Sequence, residues 1–156
     1  MLRSLLMLAA AIVAAGPAFA DRAGPIPEEA REAVATVDRF LAALATGDLE
    51  RAAAELDPEL VVLESGGAEL SREEYLERHA PHDAEFLKSV RVETGYRRAR
   101  VQGDLAWVAS LTEVETEKDG EPLSIDGAES MVLQRGEAGW RIVHIHWSSR
   151  ARREEP

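Results

Sequence analysis

The chain has 156 residues, 29 acidic against 18 basic, for a formal net charge of −11, and it contains no cysteine. So acidic a surface argues against nucleic acid or an anionic membrane as partner. The missing thiol excludes disulfides and thiol chemistry, so stability must come from packing.

Met1-Leu2-Arg3-Ser4 is a short basic opening, Leu5 to Ala15 an apolar run, Gly16-Pro17 a break, and Ala18-Phe19-Ala20 a small-x-small cleavage sequence. The apolar run is well short of the ~20 residues that a spanning helix needs. Residues 1–20 are therefore expected to be a signal peptide, with mature protein beginning at Asp21 in the periplasm or outside the cell and no membrane attachment after removal. The remaining 156 − 20 = 136 residues suit one domain with a sizeable core.

Residues 21–27 carry Gly24, Pro25 and Pro27 and read as a leader. Ala30, Ala33, Val34, Val37, Phe40, Leu41 and Leu44 then recur at helical spacing, with Gly47 as a C-terminal cap. Asp48 caps a second, short helix that stops at Asp57-Pro58. Leu60 to Leu63 is a short strand running into the Gly66-Gly67 turn. Ser71-Arg72-Glu73-Glu74 is a capping box, which predicts a third helix from about Arg72 to Ala80 ending at Pro81. From Phe86 the period changes to two. Val90 to Val101 forms one long strand bulged at Gly95, and turns at Gln102-Gly103-Asp104, Lys118-Asp119-Gly120 and Gly136 to Gly139 divide the rest into a four-strand antiparallel meander. Residues 150–156 read as a charged tail. Helices gathered on one side of such a meander make an α+β layer.

Strict alternation in the last strand places Trp140, Ile142, His144, His146 and Ser148 on one face, with Val143, Ile145 and Trp147 on the other. On the strand before it Glu129 shares a face with Leu123, Ile125, Met131 and Leu133; on the strand before that, Trp107 shares one with Leu105, Ala109 and Leu111. An acid in an apolar row is either paired, with an arginine such as Arg98, or set to meet a ligand. His144 and His146 are either core imidazoles bonded to backbone or carboxylate, or ligand groups. His79 and His82 flank Pro81 and either cap a helix end or approach a ligand. Trp107 and Trp140 serve as core or as an apolar wall. A zinc set drawn from His144, His146, His79 and His82 requires the helix end to lie against the last strand, and no metal is assigned. No Gly-x-Ser-x-Gly elbow or phosphate-binding glycine loop is present.

The element order, the Gly47-Asp48 junction and the terminal Trp140-x-Ile142-Val143-His144-x-His146-x-Ser148 strand resemble the nuclear transport factor 2-like superfamily, and within it the SnoaL-like group. That strand is also similar to the calcium/calmodulin-dependent kinase association domain, although Trp147 stands where that group carries a basic residue. The resemblance covers about Glu28 to Ser149, taken as the domain (residues 28–149). It implies a bent antiparallel sheet wrapped as a cone round three N-terminal helices, a pocket at the open end, and a homodimer packed through the outer sheet face. It offers two main functions. One is a module binding a small, partly apolar molecule. The other is an acid/base enzyme of the isomerase, dehydratase or cyclase type, using no metal or organic cofactor. A dimeric assembly module is a third. The site expected for the first two joins His146 and Glu129 in one interior volume, with His144, His79, Arg98, Trp107 and Trp140 around it, and either His146, Glu129 or His79 as the acid or base.

Overall fold

The computed structural model describes residues 24–152; the expected signal peptide lies outside them. A single 3-10 turn, Glu28–Ala30, leads into helix α1, Arg31–Thr46. Ala33, Val37, Phe40 and Leu44 recur every three or four residues and bury one stripe of α1. Gly47 ends it with φ of 74°, a left-handed conformation in which its N–H still reaches Leu44 O. Asp48 caps α2, Leu49–Ala54, by accepting from the Arg51 N–H at 3.1 Å.

Strand β1 (Leu56–Glu64) turns through Ser65 and Gly66, both at positive φ, into the short β2 (Gly67–Glu69). Helix α3 (Arg72–Arg78) is capped as its sequence predicts: Ser71 Oγ accepts from Glu74 N, while the Glu74 carboxylate accepts from Leu70 N. Pro81 does not stop the helical run. A new helix, α4, spans Ala80–Ser89 with Pro81 in its first turn, where a missing N–H removes no bond. Phe86 therefore lies on a helix, four residues before the extended segment starts. The long strands β3 (Arg91–Gln102), β4 (Leu105–Lys118), β5 (Glu121–Gly136) and β6 (Gly139–Ala151) form the antiparallel meander, and the β3–β4 register shifts at Gly95. Strand β6 runs past Ser149: Ala151 still pairs with Ile125, and Arg152 binds Asp126 and Glu113.

The six strands lie in the order β2-β1-β6-β5-β4-β3 in one curved sheet that does not close into a barrel. One pairing is not antiparallel. Strand β1 runs parallel to β6, joining the β1–β2 hairpin to the meander. The helices cover the inner face, where Phe40, Leu60, Tyr75, Met131, Leu133 and Ile145 are fully buried.

Strict alternation fails along β6. Val132 pairs with His144 and Leu133 with Ile142, so Val143 has no partner on β5. The extra residue reverses the parity of everything after it. Trp140 and Ile142 face the core before the bulge, and Ile145 and Trp147 do so after it; His144 and His146 are turned to the outer face.

Candidate functional site

At one end of the inner face the helices and sheet enclose a mostly apolar cavity of about 240 Å³. Leu41 and Leu44 of α1, Phe86 and Leu87 of α4, and Val114 and Ile125 of the meander form its walls. Three carboxyl groups enter it: Glu64 from the end of β1, Asp83 from the first turn of α4, and Glu129 from β5. Among the described residues no lysine, arginine or histidine lines it.

Local rules place each acid. Leu60 and Val62 are buried, and period two carries Glu64 to their face. Helical spacing sets Asp83 beside Phe86 and Leu87. Glu129 continues the inward row of Met131 and Leu133. Trp147 is the direct partner of Glu129 on β5 and of Glu64 on β1, so the indole stands between two carboxylates across three strands. Its Nε1 donates to Glu129 Oε2 at 2.9 Å, while Glu129 Oε1 is buried with no partner among the described residues. The indole stacks on Phe40 at 6.3 Å between centroids and lies 6.2 Å from Tyr75.

Behind the cavity the Tyr75 hydroxyl donates to Asp83 Oδ2 at 3.0 Å. Burial pushes the Asp83 carboxyl up to about 6; Glu64 and Glu69 add to the rise, while the Tyr75 bond and His79 oppose it. Burial, with Asp83 close by, also drives Tyr75 upward, so its phenol keeps its proton. His79, at the α3–α4 junction, bonds through Nδ1 to Glu69, which is 3% exposed. That bond raises the imidazole, with the Glu69, Asp83 and Glu64 charges adding to it against burial. An acid held near neutrality in an apolar pocket, and fixed by a phenol donor, has the properties of a general acid or base.

The expected site is only partly assembled. Glu129 enters the cavity. His146 does not: it pairs with Ser130, is exposed and points to the other side of the sheet, so it shares no volume with Glu129. His144 is half-buried on that outer side, with Nδ1 3.1 Å from Val61 O. Trp107 is 39% exposed there too, because Ala106, Val108 and Ser110 take the inward positions of β4. Arg98 flanks buried Ala99 and is likewise outward; it makes no pair with Glu129. Trp140 is in the core, away from the cavity, with the Arg135 guanidinium 4.5 Å from its ring centroid. His79 stands behind the cavity and acts on Asp83 through charge. The zinc set is not formed, since the sheet separates His144 and His146 from His79, and His82 is exposed on α4. Among the described residues no group of three or more potential ligands could hold a metal ion.

Asp83, Tyr75, Glu64 and Trp147 were not among the expected site residues. Two signals for them are in the sequence: Leu60-x-Val62-x-Glu64 alternation, and an acid two residues after a helix-opening proline with apolar residues three and four further on.

Among curated proteins none matches the chain. Solved structures do. A ketosteroid isomerase-like protein from Shewanella frigidimarina is 27% identical, with a TM-score of 0.74 over 80% of this chain and 100% of its own. A calcium/calmodulin-dependent protein kinase II association domain-like protein from Xanthomonas campestris is also 27% identical, with a TM-score of 0.64 over 82% of this chain and 94% of its own. An NTF2-like protein with a cystatin-like fold from Novosphingobium aromaticivorans, 18% identical, has a TM-score of 0.63 over 77% and 80% of the two chains and shares the fold. The model of the SnoaL-like domain matches residues 33–152, which hold every cavity residue named above, and the chain belongs to that family.

Proposed function

We propose that this domain is exported and binds a small, largely apolar molecule in the cavity bounded by α1, α4 and the meander. The supporting observation is the cavity itself: apolar walls with a few polar groups converging at one side, the usual composition of a small-molecule site. The test is native mass spectrometry of protein from its own host, with and without denaturation. A bound small molecule released on unfolding supports the reading, and protein that carries none and binds none from an apolar compound set refutes it. Intact mass of the same material tests export, since retention of Met1 to Ala20 would contradict it.

A second reading, acid/base catalysis next to a carbonyl, is favoured by Asp83. Its carboxyl stands near neutrality beside the cavity, and Tyr75 fixes its orientation. The likeness to a ketosteroid isomerase-like protein points the same way. Asp83 would take a proton from the carbon next to a carbonyl and return it elsewhere. Solvent-deuterium incorporation into a bound ketone tests this, and Asp83→Asn should slow it by about 10²- to 10⁴-fold. Homodimerisation through the outer sheet face belongs to the same proposal, supported by exposed Leu63, Leu105 and Trp107 on that face.

A further inference from the structure

The cavity has a charge that its apolar walls do not explain. Glu64, Asp83 and Glu129 enter it, and no basic side chain does. Three basic groups of the helices and β3 are engaged elsewhere: Arg39 binds Glu55, Arg97 binds Asp38 and Ser110, and His79 binds Glu69. Gathering carboxylates in an apolar enclosure is unfavourable, because burial disfavours the ionised form and like charges repel. Folds normally relieve such a group with an arginine or lysine. Here one oxygen, Glu129 Oε1, is buried with no partner among the described residues.

The geometry of the row adds a second feature. Glu64, Trp147 and Glu129 are consecutive cross-strand neighbours on β1, β6 and β5. The backbones of the two acidic residues therefore lie about one strand spacing, ~5 Å, on either side of Trp147. The Trp147 ring is fixed by Phe40 and Tyr75 and by its bond to Glu129. An indole is the best aromatic partner for a cation, and carboxylates on either side strengthen the same preference. A carboxylate ligand would meet repulsion from three acids, and a neutral hydroxyl, although able to donate a hydrogen bond, would leave the negative charge of the wall uncompensated.

We propose that the ligand of this cavity carries a cationic nitrogen on an apolar body, an arylalkyl- or alkylammonium, with the nitrogen held at Trp147 between Glu64 and Glu129 and the body against Phe86, Leu87 and Val114. This rests on the small-molecule reading given above and names the ligand class. Asp83 faces the same volume from α4, with Tyr75 of α3, Glu64 of β1, Glu69 of β2 and His79 acting on it. Its ionisation adds to the attraction, so affinity for an ammonium should rise as pH increases through about 6.

The test uses three probes of like shape: 2-phenylethylammonium, 2-phenylethanol and 3-phenylpropanoate, titrated into the wild-type protein while the Trp147 indole N–H resonance is followed. The ammonium should bind at least about tenfold more tightly than the alcohol, roughly 1.4 kcal/mol. The carboxylate should bind most weakly. Substituting Glu64→Gln and Glu129→Gln together should bring the ammonium down to the affinity of the alcohol. An alcohol that binds as tightly as the ammonium, or a carboxylate that binds more tightly, overturns the cationic class and leaves the cavity reading standing. Absence of any shift with all three probes overturns both.

Discussion

Trp147 and Glu129 face each other across β6 and β5, and the indole N–H donates to the carboxylate at 2.9 Å. The bond satisfies one oxygen of an acid whose other oxygen has no partner among the described residues. Trp147→Phe would keep most of the ring contacts with Phe40 and Tyr75 but leave both oxygens without a donor. A loss of about 1–3 kcal/mol in urea unfolding is expected. Adding Glu129→Leu to Trp147→Phe should recover part of it, since the buried charge is then gone.

Asp83 makes the protein less stable at neutral pH than it would otherwise be. Its folded value, about 6, lies above the ordinary 3.8, so folding favours the protonated form. The contribution is therefore fully present below about pH 4 and is lost as pH rises through about 6. Asp83→Asn keeps an acceptor for the Tyr75 hydroxyl and removes the charge. We expect it to raise stability at pH 7.5 by about 1–2 kcal/mol, less than full linkage because the carboxyl retains contact with solvent. The rise should vanish in unfolding curves recorded at pH 4.

The Glu69–His79 pair contributes in the same direction. The imidazole is raised above its ordinary 6.5 by its bond to Glu69, so its stabilisation is complete below that pH and disappears as pH rises through the elevated value. His79→Ala leaves the Glu69 carboxylate buried with neither oxygen bonded, for a loss of about 2 kcal/mol at pH 6. Pairing it with Glu69→Gln should restore about half of that. A double-mutant cycle by thermal unfolding measures the coupling.

Trp107 supplies the test of assembly. It lies beside Leu105 on the outer face, and its cross-strand partner on β3 is Arg100. Trp107→Lys puts two like charges side by side in the middle of the proposed dimer surface. Light scattering across micromolar concentrations should then give a monomer mass, where wild type gives a dimer. The fold itself should lose no more than about 1 kcal/mol, from the like charges facing each other across β3 and β4.

Much of the fold was legible in the sequence because its signals are local. The α1 stripe, the Gly47-Asp48 junction, the Ser71 cap, the meander turns and the bulge at Gly95 each depend on residues a few positions apart. Helix α4 was missed because Pro81 marks a helix start as readily as an end, and the choice depends on how Asp83, Phe86 and Leu87 pack. The site was less legible for a different reason. The β6 bulge falls in Ile142-Val143-His144, where no glycine marks it, and it is fixed by pairing with β5 and β1 at once. One extra residue exchanged His146 for Trp147 in the cavity. Glu129 lies on the face of Met131, as alternation predicts, because β5 has no irregularity between the two.

The parallel contact between β1 and β6 also sets an order in time. Glu64 is made before Trp147, and the register of their strands closes a loop of more than 80 positions between Leu56 and Ile142. Such a closure costs chain entropy before any contact rewards it, so docking of β6 on β1 is expected to follow formation of the local hairpins. Helices and hairpins can form as the chain emerges, but the acidic wall of the cavity is complete only when the final strand docks. A chain ending before β6 would lack Trp147 and the strand that joins β1 to β5, and with them the middle of the acidic wall. If the cavity takes the proposed ligand, a bound ligand would report directly on docking of β6.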